Sequence, residues 1–110
     1  MSANVAREIV KWMQSLDLSY SIKNMRRDFA NGFLVAEIIS RYYPQEVEMH
    51  SFDIGVGVKT KLDNWQQLEK FFRKHGVNIS RKLIDDIIAS RPNSVNQVLE
   101  EVYTFLTDKV

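Results

Sequence analysis

The 110-residue chain contains no cysteine, two prolines and four glycines. The missing thiols exclude disulfides and thiolate metal sites and fit a reducing, intracellular setting. So little proline and glycine leaves few turn residues for a loop-rich all-β domain, which favours helices. No apolar run approaches the ~20 residues of a membrane span, and the N-terminus lacks the apolar segment of a signal peptide. Asn78-Ile79-Ser80 is a formal glycosylation sequon with no secretory context in which to be used.

Histidine is nearly absent as well, with His50 and His75 the two examples. His75 falls at a helix C-terminus, where the dipole favours a partly positive imidazole, so a structural role explains it. A general base needs a positioned partner, and a polar pocket holding either histidine beside a carboxylate is what would point to catalysis. Asp85 and Asp86 are neighbours in sequence, so on a helix their carboxylates diverge by about 100° and make a poor dyad. Gly55-Val56-Gly57-Val58-Lys59 lacks the spacing of a phosphate loop and reads as a turn. No catalytic residue, cofactor or metal site is expected.

The apolar fraction is 45% and the charged fraction 26%, ordinary values for a globular protein. A chain of this length forms one domain over residues 1–110 and buries roughly two-thirds of its unfolded surface. It is also compatible with being the front of a longer protein, since it stops abruptly at Asp108-Lys109-Val110.

Apolar periodicity marks five helical segments. Val5, Ile9, Trp12, Met13 and Leu16 line one face of the first, with Ser2 or Asn4 as its cap. Asp17 to Asn31 is polar and irregular, anchored by Tyr20, Ile22, Met25 and Phe29. The second helix runs from about Gly32 to Tyr43. Its stripe of Val35, Ile38, Ile39 and Tyr42 is widened by Phe33 and Leu34, which predicts a central, largely buried element that Pro44 stops. A long connection follows from Gln45 to Thr60. The third helix spans about Lys61 to Lys74, with Leu62, Trp65, Leu68 and Phe72 inward and Gly76 as its C-terminal glycine. Ser80 caps a fourth carrying Leu83, Ile84, Ile87 and Ile88, ended by Arg91-Pro92. Ser94-Val95-Asn96-Gln97 opens the fifth in a capping-box pattern, with Val95, Val98, Leu99, Val102, Phe105 and Leu106 as its stripe. Trp12, Leu34, Ile38, Trp65, Leu68, Ile87, Leu99 and Val102 are expected in one core.

The net charge of +1 hides a gradient. Residues 51–82 carry seven basic side chains, Lys59, Lys61, Lys70, Arg73, Lys74, Arg81 and Lys82, against Asp53, Asp63 and Glu69. Residues 83–110 carry two basic and five acidic ones. Clustered positive charge steers association with a polyanion, while near-neutrality overall argues against coating of nucleic acid. Glu69 and Arg73 form an i,i+4 pair. Lys70 and Lys74 have no acid three or four residues before them and are expected to project free charge. Both tryptophans follow core periodicity, whereas stacking on nucleic acid needs exposed rings among basic residues.

Several segments carry a resemblance. They are Lys11-Trp12, the turn Arg27-Asp28-Phe29-Ala30-Asn31-Gly32, Leu34 to Ile38, Tyr43-Pro44, Val47-Glu48-Met49 and Lys61-Leu62-Asp63-Asn64-Trp65. In order and spacing they resemble the calponin-homology (CH) domain of the sperm flagellar protein 1 and spermatogenesis-associated protein 4 family. Glu100 to Thr107 looks closest to the latter branch. Phe72-Arg73-Lys74-His75-Gly76-Val77 bears a looser likeness to the end of the long helix in microtubule end-binding proteins. Where those proteins carry lysines, this chain reads Glu48-Met49-His50-Ser51-Phe52, so nearby Lys59 and Lys61 would have to substitute.

The resemblance implies an all-α, compact CH-type domain without catalysis or cofactor, monomeric in isolation, in the cytoskeleton of a cilium or flagellar axoneme. Microtubules are the implied partner, met through Lys59, Lys61, Lys70, Arg73, Lys74, Arg81 and Lys82, with Lys23, Arg26 and Arg27 as a secondary edge. Neither nucleic acid nor membrane is expected. Actin binding is the first alternative, although many actin-binding CH proteins use two such domains in tandem. The second is a protein–protein adaptor, which a contiguous exposed apolar patch around Phe33 or Phe71 would favour.

Overall fold

A computed structural model describes residues 6–107. Among them are six α-helices and no strand: α1 (Arg7–Ser15), α2 (Met25–Phe29), α3 (Phe33–Ser40), α4 (Val58–His75), α5 (Arg81–Ile88) and α6 (Ser94–Thr107), with a 3₁₀ turn at Met49–Ser51. The all-α expectation holds. The proposed caps Ser2 and Asn4, stripe residue Val5 and the closing Asp108-Lys109-Val110 lie outside the described residues.

Helix α3 is the centre. Every residue from Leu34 to Ser40 is buried, as its all-round apolar sequence requires. Helix α6 packs against α1, α2, α3 and α5, and α5 in turn meets α4. Glu37, the one charge in α3, is buried but satisfied. Its carboxylate accepts from the backbone N–H of Ser19 at 3.0 and 3.1 Å, from the Ser19 hydroxyl and from Arg41 Nη2 at 3.2 Å. Arg41 also donates to the carbonyls of Leu16 and Asp17. A buried carboxylate needs such partners, and here they tie the end of α1 to α3.

The turn between α2 and α3 is held from α4. Gly32 has φ 83°, a left-handed conformation, and a Cβ there would lie 3.1 Å from Trp65 Cε2 and 3.2 Å from Leu68 Cδ1. Trp65 is 1% exposed, and its indole N–H donates to the Ala30 carbonyl at 2.8 Å. The buried side chain of Asn64 donates to the Asn31 carbonyl at 2.8 Å and the Asp53 carbonyl at 2.7 Å, and accepts from the Asp53 N–H at 3.2 Å. Asn31 Nδ2 reaches the Gly55 carbonyl, so one buried amide and its neighbour hold both the turn and the loop 52–57.

Several expectations are corrected. Helix α2 falls in the segment expected to be irregular; Asn24 caps it by accepting from the Arg27 N–H. Helix α4 begins three residues early, at Val58. Trp12 packs against the core from outside; its indole donates to the Tyr42 hydroxyl at 2.8 Å and its ring meets Tyr103 edge-on. Tyr42 lies beyond the end of α3 and is exposed. Leu62 is 45% exposed. At about 100° per residue it stands roughly 120° from Leu68, and the buried arc of α4 is Asn64, Trp65, Leu68, Phe71 and Phe72. The capping box at Ser94 does not form. The Ser94 hydroxyl donates to the Arg91 carbonyl, and the Gln97 N–H bonds the Asn93 carbonyl. The Ser80 cap, accepting from Leu83, and left-handed Gly76 are as expected.

Trp65→Ala is expected to lower unfolding free energy by ~3–5 kcal/mol, since it empties a large buried site and orphans the Ala30 carbonyl. Gly32→Ala should lower it by at least ~1–2 kcal/mol through left-handed strain alone. Urea unfolding checks both; a loss below about 1 kcal/mol for either would contradict this packing.

Candidate functional site: the outer face of helix α4

Opposite the Trp65–Leu68–Phe72 arc, the 100° rule places Lys59, Lys70, Arg73 and Lys74 outward, together with Asp63 and Glu69. The inner side is locked in the core, so the outer side is a rigid platform. Its charges differ in availability. Lys59 Nζ lies 2.8 Å from Asp63, and that contact, with the carboxylate's charge, holds the ammonium pKa above its ordinary value. Arg73 pairs with Glu69 at 3.3 Å. Arg81 meets the same Glu69 at 3.2 Å and Asp85 at 3.3 Å, so Glu69 links α4 to the first turn of α5 and brings Arg81 to the platform. Lys82 pairs along α5 with Asp86 at 2.9 Å.

Lys74 was expected to be free and is not. Its Nζ lies 2.7 Å from Glu46, a residue 28 positions earlier that no helical spacing rule could supply. Lys70 is exposed and has no acidic partner within 4 Å among the described residues. Lys61 likewise has none, but it is half-buried and the 100° rule sets it on the core side of α4, away from Lys70. Lys23, Arg26 and Arg27 stand on the segment around α2. Arg27 pairs with Asp28 at 3.2 Å. Burial pushes the Asp28 pKa up, but hydrogen bonds from the Asn24 and Lys23 N–H groups and the Arg27 guanidinium outweigh it and hold it below the usual value. That edge does not join the α4 platform through any ion pair among the described residues.

His75 does lie beside a carboxylate, 3.1 Å from both oxygens of Glu46. Aromatic packing and a shared carboxylate account for its position. Its ring packs among Tyr43, Phe71 and Phe105, Lys74 engages the same carboxylate, and Nε2 has no other hydrogen-bond partner among the described residues. His50 is exposed on the 3₁₀ turn. Among the described residues no group of three or more His, Asp or Glu side chains could hold a metal ion, and no helix is long and apolar enough to cross a membrane. Phe71 is buried, whereas Phe33 borders an exposed apolar groove, a feature that periodicity did not reveal.

Hydrogen bonds from Lys74, then His75, hold the Glu46 pKa below the usual glutamate value. A depressed carboxylate stabilises the fold above its unfolded-state pKa, and that contribution disappears as pH falls through the folded-state value. Thermal unfolding from pH 7 down to pH 3 should therefore show an acid-side loss that is smaller in Glu46→Gln, with the two curves converging at low pH. Parallel curves across the whole range would refute the assignment.

A family model described as a CH-like domain in sperm protein matches residues 9–104. Sperm flagellar protein 1 of Bos taurus is 33% identical over 93 residues, covering 84% of this chain and 39% of that protein. The Xenopus laevis protein is 31% identical over 104 residues, covering 94% and 45%. Sperm flagellar protein 2 of Rattus norvegicus is 24% identical over 104 residues, covering 92% of this chain and 6% of the relative. The chain thus spans less than half the length of these relatives. With five helices packed about a buried α3 among the described residues and a family match over nearly its whole length, this chain belongs to the family of CH-like domains found in sperm proteins.

Proposed function

We propose that the domain is a non-enzymatic, filament-binding module of the flagellar or ciliary cytoskeleton, and that it meets the acidic surface of microtubules through the outer face of α4. The observation that carries this reading is Lys70, an exposed cation without an acidic partner among the described residues, on a helix whose other side is immobilised in the core. Lys59, Arg73 and Lys74 flank it, and Arg81 is held alongside through Glu69. The paired cations still contribute, because exposed ion pairs are weak, about 0.2–1 kcal/mol, and can exchange partners for a denser acidic surface. Charge of this kind sets encounter rate and orientation more than raw affinity. The relatives' printed names place them in the sperm flagellum, which agrees with a cytoskeletal setting for this chain.

Lys59→Glu combined with Lys70→Glu tests the face. Lys74→Glu is a poorer choice, since it would set a second carboxylate beside Glu46. The double variant should keep its fold, each exposed change altering stability by about 0.5 kcal/mol or less. Its microtubule affinity in cosedimentation should fall, and wild-type binding should weaken with salt above ~0.15 M. Glu100→Lys with Glu101→Lys on α6 should leave binding nearly unchanged. A folded double variant that pellets with microtubules as tightly as wild type would sink this face; pelleting with actin filaments instead would favour the alternative partner.

A further inference from the structure

Besides Val58 and Leu62 on α4 itself, exposed apolar side chains gather at a second place, where Tyr20, Ile54 and Val56 meet. Ile54 is 53% exposed and Val56 84%. They form one side of a groove of about 340 Å³ whose other side includes Tyr20 and Phe33. Those two rings meet edge-on, with centroids 5.7 Å apart, and Tyr20 itself is 45% exposed. The volume lies at the low end of the ~300–1,000 Å³ typical of ligand pockets. It suits one large side chain rather than a helix face.

The loop presenting Ile54 and Val56 is held in place. Asn64, buried beneath it, binds both the N–H and the carbonyl of Asp53; Asn31 takes the Gly55 carbonyl, and Asp53 Oδ1 accepts from the Gly55 N–H. Val56 is almost uncovered and Ile54 about half covered, so both leave apolar surface that the fold does not use. Held in this way they are pre-organised for a partner, which reduces the ordering cost of binding.

The groove's rim carries two cations, of which Lys23 is unpaired among the described residues and Arg27 shares the rim's carboxylate, Asp28. Lys23 is exposed with no acid within 4 Å among the described residues, and the Arg27 side chain is 69% exposed. The rim's acid, Asp28, is already engaged by the N–H groups of Lys23 and Asn24 and by Arg27. Asp53 lies outside the lining and is occupied by its own loop.

We propose that this groove is a second docking site, for an acidic polypeptide segment bearing one aromatic anchor. The anchor sits between the Tyr20–Phe33 pair and Ile54–Val56, where an aromatic ring can pack edge-on. Flanking carboxylates meet Lys23 and Arg27. The proposal is independent of filament binding at α4, and its test contains no filament, so either can fail alone.

The probe is the blocked peptide Glu-Glu-Phe-Glu-Glu, titrated into isotope-labelled protein and followed by amide NMR shifts. Shifts should concentrate at residues 20–27, Phe33 and residues 54–56. Affinity should fall at least about tenfold for Glu-Glu-Ser-Glu-Glu, for Lys-Lys-Phe-Lys-Lys, and for the Val56→Ser and Lys23→Glu variants. All variants should retain the wild-type dispersion of resonances, because both positions are exposed. The Lys59→Glu, Lys70→Glu variant should bind the peptide like wild type. Equal binding of the lysine-flanked peptide, no shift at the groove, or shifts confined to α4 would overturn the proposal. So would concentration-dependent shifts at Ile54 and Val56 without peptide, which assign the patch to a second copy. Capture by phosphatidylserine vesicles that Val56→Ser abolishes would overturn it in favour of a membrane.

Discussion

Two adjacent residues of α4, Asn64 and Trp65, hold the α2–α3 turn and thereby set the position of most other elements. Trp65 donates to the Ala30 carbonyl and presses its ring against Gly32, and Asn64 donates to the Asn31 carbonyl. A buried carbonyl without a partner costs about 1–3 kcal/mol, so three consecutive backbone positions are constrained by this pair. The start of α3 follows from it, and α3 is the element the others surround. The same Asn64 reaches the loop before α4 through Asp53. One side-chain amide therefore orders a turn in the middle of the fold and a loop on its surface.

The ion pairs have a second organising role. Glu69 joins α4 to α5, Glu46 returns the loop after α3 to the end of α4, and Glu37 with Arg41 fastens the end of α1. These acids lie close to structural seams and consume much of the positive charge that the composition of residues 51–82 suggests. Of those seven cations, Lys70 on the outer side of α4 and half-buried Lys61 on its core side have no acidic partner among the described residues, and unpaired Lys23 and Arg26 stand on a different part of the surface. A surface with a few available charges on a rigid helix favours oriented docking over diffuse attraction, because displaced partners and fixed geometry both restrict which approach succeeds.

The fold thus separates two kinds of surface. The outer face of α4 carries exposed charges, has Leu62 at its edge and is backed by core. The groove beside Phe33 is apolar at its base and cationic at its rim, and its loop is braced from below. They share Asn64 and the α2–α3 turn as common support, so a change at that support would disturb both. A change at Lys70 or Val56 would disturb one.

The sequence by itself determined the helical class, the central place of α3, the inward Trp65 and Leu68, the Ser80 cap and the glycine stop at Gly76. All of these are local signals, governed by a helical period or by the stereochemistry of one turn. It also carried the family resemblance, through the order of short motifs around Asn31-Gly32 and Asn64-Trp65. Tertiary structure decided the rest. Lys74 looked free because helical spacing sees only partners within four residues, whereas Glu46 arrives from a different part of the chain. Leu62 looked buried because residue type was read without the exact centre of the buried arc, which Phe71 and Asn64 shift to the other side. Phe33 was marked as the possible centre of an apolar patch, but its partners in the groove were not legible, because Tyr20, Phe33, Ile54 and Val56 come from three separate segments. Periodicity reports which way a side chain faces on its own element; which charges cancel and which apolar atoms stay uncovered depends on what the folded chain brings against that face.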